Sequence, residues 1–242
     1  MFKIFENIIK LIFPCKCILC GKIVDEKDSL CKDCWEKIRF IEKPYCSKCC
    51  APLEFKISDD DLCANCLKNE PLYIKSRSAL IYNHYVAKIL FKFKFYDQVQ
   101  LKYFLAKNMV NHSKDIIDKI DIFIPVPLHK KRLKFRKYNQ SLLLANEIAK
   151  ITNKKVLHNF LFKNENTKPQ VTLKQKDRTK NLKNKFSINS KYLNNIKDFQ
   201  NLNFAIVDDV MTTGSTINEC TKELNKNGIK NVYAITFAKT RL

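Results

Sequence analysis

A chain of 242 residues, 45% of them hydrophobic, allows one large domain or two smaller ones with an ample core. The formal net charge of +21 favours a polyanionic partner, yet all but six of the 45 basic residues are lysine and Asn, Ile and Phe are abundant, so the charge is permissive rather than diagnostic. No stretch approaches the roughly 18 uninterrupted apolar residues of a membrane-spanning helix, and no transmembrane segment is expected.

Residues 1–13 alternate apolar and polar residues at helical spacing and include Glu6, which fits an amphipathic docking helix better than a signal peptide. A cytoplasmic location follows, where thiols stay reduced and paired cysteines mean metal more often than disulfide. Ten of the eleven cysteines lie between Cys15 and Cys66, and eight form four Cys-x-x-Cys pairs: Cys17/Cys20, Cys31/Cys34, Cys46/Cys49 and Cys63/Cys66. Each pair can present two thiolates to one ion, and two pairs complete a tetrahedral site, so two structural zinc ions are expected. The spacing admits successive ribbons or a cross-braced arrangement in which the first pair joins the third. Cys15 and Cys50 are spare thiols beside the knuckles, and either could replace a neighbouring cysteine as a ligand. With only thiolate ligands in the pattern, the metal is read as structural, supplying much of this segment's folding free energy.

Cysteine density falls at Glu70-Pro71, which divides the chain into residues 1–70, the N-terminal helix and double ribbon, and 71–242. Residues 78–82 read as a strand. Residues 85–95 fit either a helix or a long strand, and Phe91, Phe93 and Phe95 alternate with lysines in a way that serves core packing or, less naturally, base stacking. A helix is expected over 101–110. Residues 122–128 form a buried strand stopped by Pro125 and Pro127. A cation-dense loop follows with Lys130, Lys131, Arg132 and Arg136, placed to grip an anion at a strand's carboxyl end, and leads into a helix over 142–150. Residues 164–186 are polar and lysine-rich, and 191–203 read as loop.

Residues 204–207 then make a short apolar strand ending in Asp208 and Asp209. Thr212, Thr213, Gly214, Ser215 and Thr216 form a hydroxyl-rich turn before a helix over 217–227 that stops at Gly228, and 232–237 is a last strand. Hydroxyls and backbone N–H groups at a helix N-terminus suit an anion. The adjoining carboxylates suit a sugar diol on the same ligand.

The stretch from Phe204 to Thr216 resembles the phosphoribosyl pyrophosphate (PRPP) motif of type I phosphoribosyltransferases. The resemblance implies that Asp208 and Asp209 hold the ribose hydroxyls, that Thr212 to Thr216 cradle the 5′-phosphate, and that Mg²⁺ accompanies bound PRPP. Purine phosphoribosyltransferases generally carry an aspartate where this chain has Thr212, so purine salvage is disfavoured. Pro125-Val126-Pro127-Leu128, Arg132, Arg136 and Asn139-Gln140-Ser141 narrow the resemblance to the ComF family, which often shows Arg-Gly-Phe-Asn-Gln where this chain has Arg136-Lys137-Tyr138-Asn139-Gln140. Thr167, Gln170, Leu173, Arg178 and Asn181 match that family's next motif, and Arg178 is implied as the cation of a mobile lid.

The expected fold is therefore α/β: a type I phosphoribosyltransferase-like parallel sheet flanked by helices, with a small N-terminal double zinc ribbon. Two functional readings follow, beside a third in which a zinc-ribbon scaffold keeps the fold only as a docking surface. In one, the protein binds PRPP or a related phosphoribosyl compound and serves DNA uptake in natural transformation, with single-stranded DNA and uptake-machinery proteins as partners. In the other, it is an active phosphoribosyltransferase whose acceptor the sequence does not name.

Overall fold

A computed structural model of the chain describes residues 14–56, 58, 60–163 and 186–241. The expected N-terminal amphipathic helix and Arg178 lie outside the described residues.

The main sheet has five strands, β1 (Ser76–Ile81), β2 (Ile122–Pro125), β3 (Lys155–Val156), β6 (Phe204–Met211) and β7 (Val232–Lys239), in the order β1-β7-β6-β2-β3. Every neighbouring pair is parallel. A separate antiparallel pair joins β4 (Leu161–Lys163) to β5 (Phe186–Ile188). Alternation along the strands sends Ala205 and Val207 into one apolar layer and Phe204 and Ile206 into another, so both faces of the sheet are buried.

Each ribbon carries one short helix starting just after a cysteine, α1 (Lys32–Trp35) in the first and α2 (Ala64–Lys68) in the second. The first layer of the sheet is covered by α3 (His84–Phe95), α4 (Leu101–Asn111), the single turn α5 (Lys114–Ile117) and α7 (Gln140–Thr152). The second is covered by α8 (Ser215–Lys226) with β4 and β5. Residues 85–95, which the sequence left open between two forms, are helical. Val86, Ile89, Leu90 and Phe93 supply one buried stripe, and Asn83 caps the N-terminus by accepting from the N–H groups of Tyr85 and Val86. The basic stretch after β2, read as a loop, contains the short helix α6 (Lys130–Arg136) capped by His129. Residues 191–203 likewise include a 3₁₀ run, Ser190–Phe199.

The two ribbons straddle one edge of this sheet. The first contributes Ile18, Leu30, Cys34 and Ile38 to the layer of α3 and α4, while the second packs Cys46, Cys49 and Cys66 into the opposite layer. Between them the chain runs along the outer edge of β1. Ile41 N–H donates to Ala79 O at 2.9 Å, Ile81 N–H to Arg39 O at 2.8 Å, and Ser76 N–H to Lys48 O at 2.7 Å. An edge strand that would otherwise present unpaired backbone groups is thereby covered.

Candidate site at the carboxyl end of the sheet

The connections fix where a ligand can sit. From β2 the chain crosses through α7 on one face to β3 at one edge, whereas from β6 it crosses through α8 on the other face toward β7. The crevice at the carboxyl ends of β2 and β6 is the topological switch point, where open α/β sheets bind their ligands. Asp208 and Asp209 lie toward the end of β6 at that crevice, and the Asn139-Gln140-Ser141 segment opens α7 beside it.

The acidic pair is held on both sides. Ser141 Oγ donates to Asp208 Oδ1 at 2.9 Å, and the same oxygen accepts the Asp209 N–H at 2.9 Å. Asn139 positions Ser141: its side-chain oxygen caps α7 and its Nδ2 donates to Val126 O at 3.1 Å, tying the helix start to the end of β2. Asp209, only 8% exposed, faces α3, where Lys94 Nζ meets its Oδ2 at 2.5 Å. Burial, and then the charge of Asp209, push the Asp208 carboxyl up to about 7, against the Ser141 hydroxyl, the Asp209 N–H and Lys94.

Past Met211 the chain turns. Gly214 takes the left-handed conformation, φ 77°, and serves as N-cap of α8 without a side-chain cap. Thr213 Oγ1 donates to Ser215 Oγ at 3.1 Å and accepts the Ser215 N–H at 3.4 Å. Thr213, Gly214 and Ser215 share one wall of a cavity of about 550 Å³ with Tyr73, Asn218 and Lys239. Tyr73 belongs to the segment linking the second ribbon to β1, so that ribbon roofs the space beside the turn. Asp208 and Asp209 do not form part of this cavity's lining. Lys239, 1% exposed at the end of β7, has its Nζ 3.5 Å from Thr212 O.

The basic residues gather on α6. Burial and the neighbouring charge of Arg136 both lower the pKa of Arg132. Arg136 Nη1 donates to Gln140 Oε1 at 3.3 Å, and Lys131 is exposed. A second cavity, about 760 Å³, opens beside this helix among Pro127, His129, Leu133, Asn139 and Leu142. Lys137, standing where the resembled pattern carries glycine, takes the glycine-like conformation, φ 65°, and its Nζ reaches Asp97 Oδ2 at 2.7 Å.

Eight cysteines assemble as two tetrads, Cys17/Cys20/Cys31/Cys34 and Cys46/Cys49/Cys63/Cys66, with the sulfurs of each within 4.8 Å of one another. The pairing is successive and not cross-braced. Zn–S bonds of about 2.3 Å in a tetrahedron set sulfurs about 3.8 Å apart. Cys20 and Cys31 stand at 3.7 Å and Cys49 and Cys63 at 3.6 Å, so the donor sets fit structural zinc in both number and spacing. The knuckles repeat each other. Gly21 N–H donates to Cys17 O and Cys50 N–H to Cys46 O, both at 2.9 Å, and both residues have positive φ. Cys50 thus fills a turn position taken by glycine in the first ribbon, and its thiol is buried against Ser78 O; neither Cys50 nor Cys15 joins a tetrad.

Sequence reasoning does not find Lys94, Tyr73, Asn218 or Lys239, and it assigns Ser141 no role. Lys94 and Asp209 lie on separate elements far apart in the chain, and only the packing of α3 on the sheet joins them.

Together these features define a parallel α/β protein of phosphoribosyltransferase-like architecture carrying two Cys₄ ribbons. A family model described as "Double zinc ribbon domain" matches residues 8–67. The chain belongs to the ComF family: it is 33% identical over 236 residues to "Competence protein F" of Haemophilus influenzae, covering 94% of this chain and 98% of that protein. It is also similar to "Competence protein ComFC" of Bacillus subtilis, 27% identical over 84% of this chain and 80% of that one, and to "DNA utilization protein YhgH" of Escherichia coli, 25% identical over 87% and 90%. Among the described residues no helix is long and apolar enough to cross a membrane.

Proposed function

We propose that this protein binds PRPP or a related phosphoribosyl compound with Mg²⁺ at the switch-point crevice, and that it serves DNA uptake in natural transformation by binding single-stranded DNA. The observation that carries the first part is the acidic pair, anchored by Ser141 and Lys94 and closely followed by an N-terminus of α8 that lacks a side-chain cap. Asp208 and Asp209 would accept hydrogen bonds from the ribose hydroxyls. Thr212, Thr213, Gly214, Ser215 and Thr216 would receive the 5′-phosphate, where backbone N–H groups and the helix dipole favour negative charge. Lys130, Lys131, Arg132 and Arg136 would neutralise the pyrophosphate, with Mg²⁺ supplying the remaining positive charge. The names of the relatives support the second part, and the net charge of +21 is compatible with it.

Calorimetric titration with PRPP and Mg²⁺ is expected to show saturable binding to the full chain and none to the variant combining Asp208→Asn with Asp209→Asn. Equal affinity in both would remove the carboxylates from the ligand site. Single-stranded oligonucleotide binding is expected to weaken with salt, with a log–log slope of roughly −0.7 per phosphate neutralised. Binding that is undetectable or independent of salt would end the DNA reading.

A second reading, transfer of the ribosyl group to an acceptor, draws on the cavity of about 550 Å³ between the hydroxyl turn and the second ribbon, which offers room for one. Release of pyrophosphate from PRPP in an acceptor screen, lost in the same double variant, would favour it over binding alone.

A further inference from the structure

The alternating run Phe91-Lys92-Phe93-Lys94-Phe95 distributes its side chains in an order that folding alone does not require. On α3 the central Phe93 is buried in the core. Both lysines turn back onto the protein: Lys92 Nζ donates to the carbonyls of Ile18 and Leu19 at 2.7 and 3.1 Å, and Lys94 holds Asp209. The outer aromatic rings are left in solvent. Phe91 is 51% exposed, Phe95 43%, Tyr96 63% and, on α6, Phe135 77%.

These four rings form one continuous strip. Phe91 lies 4.9 Å from Phe95 and 5.6 Å from Tyr96 between ring centroids, and Phe95 lies 6.4 Å from Phe135. The Arg136 guanidinium sits over the Phe95 ring at 5.2 Å. Lys131 and Lys134 are exposed on α6 beside them. Leaving large aromatic rings in water forgoes burial that would stabilise the fold, and a contiguous exposed apolar patch marks an interaction site.

We infer that this strip of Phe91, Phe95, Tyr96 and Phe135 is the surface on which single-stranded nucleic acid stacks its bases, with the exposed Lys134 beside it meeting its phosphates. The inference rests on the DNA reading proposed above and assigns it a place. Charge selects the occupant. Stacked bases need π-faces, their backbone needs cations, and both are present here on neighbouring helices. A second copy of this chain, itself carrying a net charge of +21, would bring like charges together on this face. Through Lys94 the same helix also reaches the acidic pair, so the bound strand would lie next to the phosphoribosyl site.

Fluorescence anisotropy of a labelled oligothymidylate with the full chain tests this. Phe95→Leu combined with Phe135→Leu keeps an apolar surface and removes two stacking faces. Base–aromatic stacking of about 1–3 kcal/mol per base makes the expected loss roughly ten- to a hundredfold or more, with an unchanged salt slope. Lys134→Gln is expected instead to reduce the salt slope by roughly 0.7 for each phosphate that is no longer neutralised. Phe135→Leu alone, at the most exposed ring, is the companion variant should the double change disturb folding, and PRPP titration of the leucine variants reports an intact core. If the wild-type chain binds and the leucine variants bind equally well, the strip is not the face and the DNA reading stands without it. If the wild-type chain does not bind at all, the DNA reading fails and this inference with it. If the leucine variants instead convert a dimer to a monomer in sedimentation, the strip joins two copies and the inference is overturned.

Discussion

Removing zinc from the second ribbon is expected to collapse more than the ribbon. Elemental analysis of the wild-type chain should return two zinc equivalents, and Cys46→Ser should lose one. Structural zinc in small ribbons contributes on the order of 10 kcal/mol of apparent binding free energy, and a segment of this size has little core of its own to replace it. Its backbone is also woven into the sheet: Lys48 O accepts from Ser76 N–H, and Ser47 O accepts from the buried Arg77 guanidinium at 3.2 Å. Cys46, Cys49 and Cys66 share an apolar layer with Tyr73 and Met211. Tyr73, on the segment leading out of this ribbon, lines the same cavity as Thr213, Gly214 and Ser215 of the turn proposed to bind phosphate. Losing about 5 kcal/mol from a chain of this length corresponds to a fall in melting temperature of roughly 10–20 °C. Calorimetric scans of Cys46→Ser should show that fall, together with weakened PRPP binding. A variant that loses one zinc but melts and binds like the wild type would make the ribbon an independent appendage.

At the acidic pair, two single substitutions are expected to change stability in opposite directions. The Asp208 carboxyl is raised from its ordinary 3.8 to about 7, first by burial and then by Asp209. A raised carboxyl contributes stability that is fully present below about pH 4 and lost as pH rises through about 7, because the folded state holds the proton that the unfolded state has released. Three pKa units correspond to roughly 4 kcal/mol as a ceiling. Solvent reaches Asp208 and the pair shares its charge with Lys94, so about 1–3 kcal/mol is expected in practice. Asp208→Asn removes the ionisation while its amide oxygen can still accept from Ser141 Oγ and Asp209 N–H. Its melting temperature should therefore exceed the wild type by roughly 2–10 °C at pH 8 and match it near pH 4. Lys94→Met does the reverse. It leaves Asp209 nearly buried without its cation, at a cost of about 2–4 kcal/mol at pH 8 that shrinks toward pH 5 as the pair takes up a proton. Melting curves of both variants between pH 4 and 8 make the check; a destabilised Asp208→Asn at pH 8 would mean that the charge itself holds the fold.

On the function proposed above, this opposition would mark a site kept for a ligand at some expense of stability. Two adjacent carboxylates near the end of a buried strand would lower stability, and Lys94 and Ser141 would contain the penalty. The lysine is then the group that a ligand's hydroxyls or its metal ion would have to compete with or reposition.

Much of this was legible from local pattern. Cys-x-x-Cys spacing dictates a knuckle whatever surrounds it, so the eight paired cysteines could be named from the chain alone, while only the structure sets Cys15 and Cys50 aside. The strand, acid pair, hydroxyl turn and helix from Phe204 onward follow from hydrophobic periodicity and turn chemistry within one short stretch. The helix or strand choice over 85–95 could not be made in that way, because alternate aromatics satisfy both periods. Asn83 as a cap and the sheet beneath decided it. The same ambiguity hid the exposed strip, since Phe91, Phe93 and Phe95 look equivalent along the chain and only the helical rotation buries one and leaves two outside.

Neighbouring residues were enough to specify the ligands of two metal sites, the parallel α/β character and the strand-end motif, because covalent spacing limits the geometry of each. They could not specify that the ribbons pair successively and clasp the β1 edge, that Lys94 neutralises Asp209, or that four rings from two helices meet in one strip. Those outcomes depend on which distant segments share a buried surface, and that is settled by the packing of the whole chain.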